Sequence, residues 1–337
     1  MSTATEGSAA GGRAEGAEAK GHPMCAEDYR HEALFYAGEA QFMQGTLPFI
    51  REALADAEPI LVVLGSSKIE ALRRVLDANA EHVLFADMAY VGANPARIIP
   101  AWKDFLAAHG APGRRLWGIG EPIWAARTAA ELAECQRHEA LLNIAFSDPA
   151  FSLLCPYDTV SLPAEVIAQA RRNHPLLRQG DRFTRSADYP GAEFLATPFD
   201  EPLSDPPQGV PELAFGPSTL RDVRALVSAH AVRAGLTRER TADLMLAINE
   251  VATNSLLHGG GRGTLRVWRE DAALVCEVRD AGRIEDPLVG RRRPASDSEG
   301  GRGLWLANQL CELVQVRTFL AGGVVRLHMR VADASSC

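Results

Sequence analysis

The chain has 337 residues, 47% of them hydrophobic and 23% charged, which is the composition of an ordinary globular protein and is enough for two domains. Its net charge of -8 argues against a nucleic-acid groove, because phosphate binding needs a positive field. No apolar run approaches the roughly 20 residues that cross a membrane, so we expect neither nucleic acid nor a membrane as a partner. The segment 1–28, rich in Ala, Gly and Glu, has no apolar secretion signal and predicts a disordered tail on a cytoplasmic protein.

The segment 29–178 alternates short apolar, β-branched runs with helical periodicity. Such alternation predicts an α/β domain in which helices cover the faces of a parallel sheet. The predicted strands are Ile60–Leu64, His82–Phe85, Leu116–Ile119 and Phe151–Leu154. The predicted helices are Ile69–Ala80, Ile98–Ala108, Thr128–Phe146 and Ala164–Arg172.

Gly65-Ser66-Ser67-Lys68 follows the first of these strands and superficially suggests a phosphate-binding loop. A P-loop needs Gly, four residues and then Gly-Lys-Ser/Thr, and that pattern is missing here. We therefore expect Ser66 or Ser67 to be a helix N-cap. Five polar and aromatic residues are expected near the strand ends, where open α/β sheets bind ligands, and are candidates for a sensory pocket. For each of them taken singly, a structural role is the favoured interpretation. They are His31, Glu121, Trp124, Tyr157 and His174.

The cysteines show no Cys-x-x-Cys pair and no histidine at metal-ligand spacing, so the sequence predicts no zinc site and reduced, mostly buried thiols. The six are Cys25, Cys135, Cys155, Cys276, Cys311 and Cys337.

A proline-rich stretch, 179–216, predicts a semi-rigid linker, and the segment 217–334 predicts a second domain. Helices layered on one face of a mostly antiparallel sheet would make it an α/β sandwich. Its predicted elements are helices at Leu220–Ala234, around Glu250 and at Leu304–Leu313, strands at Thr264–Arg269 and Ala273–Arg279, and a hairpin of Val314–Phe319 and Val324–Val331 that turns at Gly322-Gly323.

Three short segments of this second domain predict a nucleotide pocket. On the helix around Glu250, the residues Glu250, Asn254 and His258 are four apart and form one polar stripe, opposite an apolar face. Asp280-Ala-Gly282 follows a strand, and Gly301-Arg-Gly303-Leu304 precedes an apolar helix. Each segment alone is commonplace, but their order within about 55 residues is specific.

In this order the segments resemble the N, G1 and G2 boxes of the ATP-binding fold that histidine kinases, DNA gyrase and anti-sigma serine kinases share. The runs "LMLAINEVATNSLLHG" and "GGRGLWLANQLCELVQV" are most similar to the anti-sigma serine-kinase branch. The resemblance implies a histidine-kinase/gyrase-type fold and ATP with Mg²⁺ as ligands. It implies that Asn254 is the protein ligand of Mg²⁺ and that Glu250 is the general base.

The resemblance also implies that Asp280 accepts from the adenine amino group and that Gly282 lets the backbone approach the ring. Gly301 and Gly303 would direct backbone amides at the phosphates from the helix that begins near Leu304, and Arg302 and His258 are further candidate contacts. One departure concerns the G1 box, which often reads Asp-x-Gly-x-Gly. Here Arg283 and Ile284 follow Gly282, so the second glycine is missing.

The N-terminal half, 29–178, resembles the MEDS domain, a bacterial sensory module with a degenerate RecA-like fold. The motifs that carry this resemblance occur in the expected order and are "HEALFY" at His31, "GEPIW" at Gly120, "HEALLN" at His138, "LLCPYD" at Leu153 and "RRNHPLL" at Arg171.

Three functions agree with these resemblances. The first is a protein serine/threonine kinase that phosphorylates an anti-sigma antagonist and so regulates transcription through a sigma factor. In this function the MEDS half senses a small molecule, and the resemblance to the kinase family implies a homodimer. The second is a sensor histidine kinase, which needs a phosphoacceptor His followed by an acid and, soon after, a proline. His230 lacks both, and Asn143 stands where His138-Glu139 would need the proline. The third is a catalytically inactive, ATP-dependent binding module.

Overall fold

The structure is a computed structural model that describes residues 29–146, 150–180, 182–191, 201–294 and 301–331. The predicted disordered tail, 1–28, and the two cysteines Cys25 and Cys337 lie outside these residues. Within the described residues, no helix has both the length and the apolar character needed to cross a membrane.

The N-terminal half contains a seven-stranded sheet in the order β3-β2-β4-β5-β1-β6-β7. All neighbouring strands are parallel except β6 and β7, which are antiparallel. The fold is therefore the parallel-dominated α/β class that the sequence predicts. The strands are β1 (Arg30–Tyr36), β2 (Ile60–Leu64), β3 (Leu84–Asp87), β4 (Leu116–Gly120), β5 (Phe151–Asp158), β6 (Leu176–Gln179) and β7 (Arg182–Arg185).

Helices cover both faces of this sheet, and each face has its own core. Neighbouring residues of β1 enter different cores because strand side chains alternate between faces: Ala33 lies in one cluster and Leu34 in the other. Helices α1 and α2 pack on the Leu34 face, and α4, α5 and α6 pack on the Ala33 face. The helices are α1 (Gly38–Ala55), α2 (Ser66–Leu76), α3 (Met88–Val91), α4 (Ile98–His109), α5 (Ala129–Ala145) and α6 (Ala164–Asn173).

Two N-terminal features differ from the sequence prediction. Helix α2 begins at Ser66 with Gly65 as its N-cap and no side-chain capping bond, so the predicted serine cap is wrong. Strand β3 is shifted toward Asp87, because a 3₁₀ turn occupies 77–82. The carboxylate of Asp87 then caps the short helix α3, which ends the strand there.

The C-terminal half is a five-stranded antiparallel sheet, in the order β11-β12-β10-β9-β8, with three helices on one face. One apolar core lies between helices and sheet, as expected for the histidine-kinase-type sandwich. The elements are β8 (Glu212–Phe215), α7 (Leu220–Ala234), α8 (Arg238–His258), β9 (Gly263–Glu270), β10 (Ala273–Asp280), α9 (Arg302–Leu310), β11 (Leu313–Phe319) and β12 (Gly322–Arg330).

The last hairpin turns at Leu320 and Ala321, so the predicted turn at Gly322-Gly323 is wrong. Gly322 pairs with Phe319 as the first residue of β12. A Cβ on Gly322 would lie 2.0 Å from the Asp280 carbonyl oxygen, and its φ is +135°. Glycine is required here because strand β12 passes very close to the end of β10.

Candidate nucleotide-binding site

Helix α8 carries the predicted polar stripe to the edge of the sandwich. It begins after Thr237, whose side chain accepts from the Arg240 amide, and its apolar face is buried in the core. The stripe meets the first turn of α9 at Gly303. A Cβ on Gly303 would lie 3.0 Å from Asn254 Nδ2 and 3.1 Å from Glu250 Oε2. Glycine at this position therefore lets a carboxylate and an amide lie directly beside the helix backbone.

The N-terminus of α9 offers backbone donors to the same region. Its N-cap, Gly301, has a left-handed conformation with φ +80°, and none of the described side chains caps the helix. The first N–H groups of a helix have no partner inside the helix, and the helix dipole favours an anion there. This end of α9 therefore suits phosphate oxygens.

Asp280, at the end of β10, lies across the site from α9 and has a fixed orientation. Ser255 donates to its Oδ2 at 2.6 Å, and the Gly282 amide donates to its Oδ1 at 2.8 Å. A Cβ on Gly259 would lie 2.5 Å from Asp280 Cγ, so glycine allows this packing. Each carboxylate oxygen retains acceptor capacity, which leaves Asp280 able to accept from an amino group in the pocket.

These features enclose one cavity of about 320 Å³, which is within the size range of small-molecule sites, roughly 300–1,000 Å³. Seven predicted site residues line it: Asn254, His258, Asp280, Gly282, Gly301, Gly303 and Leu304. Glu250 lies at its margin beside Gly303, and Arg302 is the first residue of α9. The sequence analysis missed the wall that directly follows the Asp280-x-Gly282 motif, formed by Arg283, Ile284, Glu285, Asp286 and Val289.

This wall is attached to the N-terminal half. Leu288, inside the wall segment 283–291, is 1% exposed and belongs to the N-terminal core cluster. The Arg291 guanidinium donates to Glu134 of α5 at 3.3 Å. Gly290, with φ +70°, accepts from Asn308 of α9 at 3.1 Å through its carbonyl oxygen. The wall segment thus joins the cavity, α9 and α5.

The C-terminus of α9 is also held by the N-terminal half. Arg97 donates to the Asn308 carbonyl at 2.8 Å and to the Gln309 carbonyl at 2.6 Å. Asn94 donates to the carbonyls of Asn308 and Cys311, each at 3.2 Å. These donors satisfy carbonyls that have no partner within a helix, and the arginine charge matches the negative end of the helix dipole.

A buried ionic cluster completes the contact between the halves. Glu134 and Arg137 of α5 meet Arg317 of β11, with the Arg317 guanidinium 2.8 Å from Glu134 and the Arg137 guanidinium 2.8 Å from the Val316 carbonyl. Burial raises the pKa of Glu134, but the surrounding guanidinium groups outweigh it and hold that pKa below its usual value. Burial lowers the pKa of Arg137 to about 9.

The five residues proposed for a sensory pocket fall into three places. The Glu121 carboxylate accepts from Tyr36 and Lys68, and burial raises its pKa even though Lys68 opposes that effect. Trp124 stacks with Arg127 at 3.8 Å. His31, Tyr157 and His174 lie together: the two imidazole centroids are 4.0 Å apart and Tyr157 meets His174 edge-on at 5.6 Å. Burial lowers the pKa of His31 to about 4.

Two family models match separate parts of the chain. Residues 30–175 match the family described as "MEDS: MEthanogen/methylotroph, DcmR Sensory domain", and residues 213–329 match "Histidine kinase-like ATPase domain". No curated protein matches the chain. Among solved structures, the RsbU and RsbW domains of a Mycobacterium tuberculosis protein match with 20% identity and a TM-score of 0.27, over 36% of this chain and 32% of that chain.

Proposed function

We propose that this ATP-binding signalling protein, a MEDS sensory domain joined to a histidine kinase-like ATPase domain, transfers the γ-phosphoryl group of ATP to a serine or threonine of a partner protein. The observation that carries the proposal is the convergence of Glu250 and Asn254 on Gly303, in the first turn of α9. A carboxylate beside the phosphate end of a nucleotide pocket can serve as a general base.

In the proposed reaction, Glu250 takes the proton of the attacking hydroxyl group. The hydroxyl oxygen forms a bond to the γ-phosphorus while the bond to the bridging oxygen breaks, giving ADP and a phosphoprotein. The amides of Gly303 and Leu304 and the dipole of α9 stabilise the negative charge of the phosphates. Asp280 positions the nucleotide by accepting from the adenine amino group.

The residues at the phosphate end fit a Mg²⁺ ion. The Asn254 side chain lies beside the start of α9, and its amide oxygen is the type of ligand that Mg²⁺ takes, together with waters and phosphate oxygens. When bound, the ion would neutralise charge on the transferred group.

The environment of the candidate phosphohistidines favours a serine or threonine acceptor. His138 is 1% exposed inside α5, so its ring cannot reach a nucleotide. His230 lies in α7, and no proline follows it within that helix.

The test incubates the full-length protein with γ-labelled ATP, alone and with candidate anti-sigma antagonists, and treats the product with acid and alkali. Acid-stable label on an antagonist supports the proposal. Acid-labile label would indicate a histidine kinase, and ATP binding without transfer would indicate an inactive binding module. Asn254→Ala should abolish transfer, whereas Asn249→Ala should not, because Asn249 lies on α8 but accepts from Arg224 away from the cavity.

The proposal extends to the cellular role of the protein. We propose that the protein acts in the cytoplasm, that its partners are an anti-sigma antagonist or a sigma factor, and that it regulates transcription through them without binding nucleic acid. A small-molecule signal at the MEDS half and a homodimer belong to the same proposal. The contacts of α5 and Arg97 with the ATPase half give such a signal a physical route to the nucleotide pocket.

A further inference from the structure

Four potential metal ligands converge in the core of the MEDS half, 0–1% exposed and remote in sequence. They are His31 of β1, Glu139 of α5, Cys155 of β5 and His174 at the end of α6, and their ligand atoms all lie within 4.8 Å of one another. His31 pairs with Leu153, and Cys155 is two residues further along β5, so both side chains leave the same face of the sheet.

Hydrogen bonds to the Nδ1 atoms fix the orientation of both imidazoles. Asn143 donates through Nδ2 to the Asn173 carbonyl at 2.8 Å, so its Oδ1 faces His31 Nδ1, 3.1 Å away, and must accept. His174 Nδ1 donates to the Ala170 carbonyl at 2.8 Å. In the neutral form of each ring, which is the form that binds a metal, the Nε2 lone pair therefore points into the cluster, and metal-bound histidines characteristically have such a donor bond on their other nitrogen.

With both imidazoles in the neutral, metal-binding form, the atoms that face one another inside the cluster are acceptors that repel one another. Glu139 Oε2 is 3.2 Å from His31 Nε2 and 3.3 Å from His174 Nε2, and all three are acceptors. His174 Nε2 and Glu139 Oε1 have no hydrogen-bond partner among the described residues. A single thiol proton from Cys155, whose Sγ is 3.4 Å from His31 Nε2, cannot satisfy all of these acceptors. A cation at the centre would bind His31 Nε2, His174 Nε2 and Glu139 Oε2 together.

The separations between the ligand atoms are compatible with a four-coordinate ion. A tetrahedral Zn²⁺ with bonds of about 2.0 Å to N and O and about 2.3 Å to S places its ligand atoms roughly 3.3–3.6 Å apart. Three of the six ligand pairs here are separated by 3.2, 3.3 and 3.4 Å, and all six lie within 4.8 Å. One thiolate, two imidazoles and one carboxylate form a donor set suited to zinc rather than to Mg²⁺ or Ca²⁺.

We propose that His31, Glu139, Cys155 and His174 bind a Zn²⁺ ion in the core of the MEDS half. Binding releases the thiol proton of Cys155 to solvent, because the thiolate is the ligand. The site is separate from the nucleotide cavity and does not rest on the proposed kinase activity. The four ligands are spread over more than a hundred residues and have no short spacing, so the prediction of no zinc site did not take them into account.

Metal analysis of the full-length protein, purified without chelator and without nucleotide, tests the proposal. We expect stoichiometric zinc, and X-ray absorption should show one sulfur at about 2.3 Å and N or O ligands at about 2.0–2.2 Å. Absence of zinc, or zinc without a sulfur neighbour, would overturn the proposal, and neither measurement depends on a variant that folds.

Cobalt substitution identifies the ligands. The full-length protein refolded with Co²⁺ should show tetrahedral ligand-field bands and a thiolate charge-transfer band. Cys155→Ser should lose the charge-transfer band. Cys135→Ser is the matched control, because Cys135 is an equally buried thiol whose partner is the Pro122 carbonyl. An unchanged spectrum in Cys155→Ser, or the same loss in Cys135→Ser, would contradict the assignment.

Discussion

At the scale of single residues, the candidate nucleotide site depends on glycines. Because they have no side chain, they leave room for the polar side chains that lie beside them. Gly259 and Gly303 each lie where a Cβ would collide with a functional side chain, Asp280 in one case and Asn254 and Glu250 in the other. The sequence motifs contain both the acids and the glycines, because the close approach needs the two residue types together. This is why the sequence could predict many of the residues that line the cavity.

Replacement of Asp280 by Asn should weaken ATP binding by about ten- to a hundredfold, which corresponds to a lost charge-assisted hydrogen bond of about 1.5–3 kcal/mol. Asn has one acceptor oxygen, and Ser255 and Gly282 already donate to the two oxygens of Asp280. Calorimetric titration of Mg·ATP measures the change. Asp271→Asn, in the β9–β10 turn, is the control, and equal affinities for both variants would show that Asp280 does not contact the nucleotide.

Glu250→Gln should separate binding from chemistry. If Glu250 contacts the reacting hydroxyl and not the nucleotide, ATP affinity should be nearly unchanged while transfer falls about 10²- to 10⁴-fold. Single-turnover transfer and calorimetry are the two measurements. Glu239→Gln, in the first turn of the same helix, should change neither. A Glu250→Gln variant with full transfer activity would remove Glu250 from the role of base.

The buried His328 should make the free energy of unfolding depend on pH. Burial lowers its pKa to about 4, with Arg326 adding to the effect, so the unfolded chain binds the proton more readily than the folded protein. Stability from this group is complete above about pH 6.5 and falls as the pH drops to about 4, by at most about 1.4 kcal/mol per pH unit. Denaturant unfolding of His328→Gln should show a shallower decline over this range. Substitution of the exposed His82 should leave the decline of stability with pH as it is in the wild type. A His328→Gln variant whose stability declines as steeply as that of the wild type would refute the prediction.

At the scale of elements, strongly periodic segments were predictable, whereas the first strand and the first helix of the N-terminal half were not. Strand β2 and helix α7 have the predicted bounds. Strand β1 was missed because two of its buried residues, His31 and Glu32, are polar, which disguises a central strand as a surface segment. Helix α1 was missed because it contains Gly45 and Pro48, which disfavour a helix. Gly45 is required by packing, because a Cβ at this position would lie 2.5 Å from the Leu34 side chain.

The predicted linker, 179–216, contains a short strand near each of its ends. The boundaries of the two predicted domains, 29–178 and 217–334, remain predictions. Strand β7 pairs with β6, and β8 pairs with β9 at the edge of the second sheet. These short strands had no signal in the sequence because the surrounding prolines and acids dominate its composition. Hydrogen bonding to a sheet that is already formed, rather than the intrinsic propensity of the strand, accounts for their structure.

The capping of α9 gives a prediction at this scale. Arg97→Ala removes donors from the Asn308 and Gln309 carbonyls and should loosen the helix whose other end faces the phosphates. We expect ATP affinity in the full-length protein to fall about fivefold or more, equivalent to a coupling of about 1 kcal/mol. Arg114→Ala, which removes a similar bond to the Ala57 carbonyl, is the control. If both variants bind ATP equally well, α9 does not transmit the loss of its cap.

At the scale of the whole molecule, one helix connects three features. Helix α5 carries Glu139 in the proposed zinc site and Glu134 in the ionic cluster, and Glu134 holds Arg291 of the cavity wall. The sequence could not predict this connection, because Glu134 and Arg291 are separated by 157 residues. Contacts of this kind depend on how two folded halves meet, which local patterns do not encode.

Leu288→Ala tests how firmly the halves are joined. The side chain is fully enclosed in the N-terminal core, so its removal should lower the unfolding free energy of the intact chain by about 2–5 kcal/mol, as for other buried leucines. Denaturant unfolding provides the measurement, and Leu320→Ala, at a leucine that is 93% exposed, is the control. Equal stabilities of the two variants would mean that Leu288 leaves the core in solution.

The insertion of Leu288 into the N-terminal core also affects the order in which the protein is completed on the ribosome. The MEDS half emerges first and can fold as soon as its strands are available, but its core then lacks a leucine that is synthesised about a hundred residues later. We expect nascent chains that end near residue 210 to be more sensitive to protease in this half than released full-length chains. The core of the MEDS half would thus be fully packed only after the wall segment 283–291 has been synthesised. A chain that is truncated before this segment should therefore be degraded by cellular proteases more readily than the longer chain.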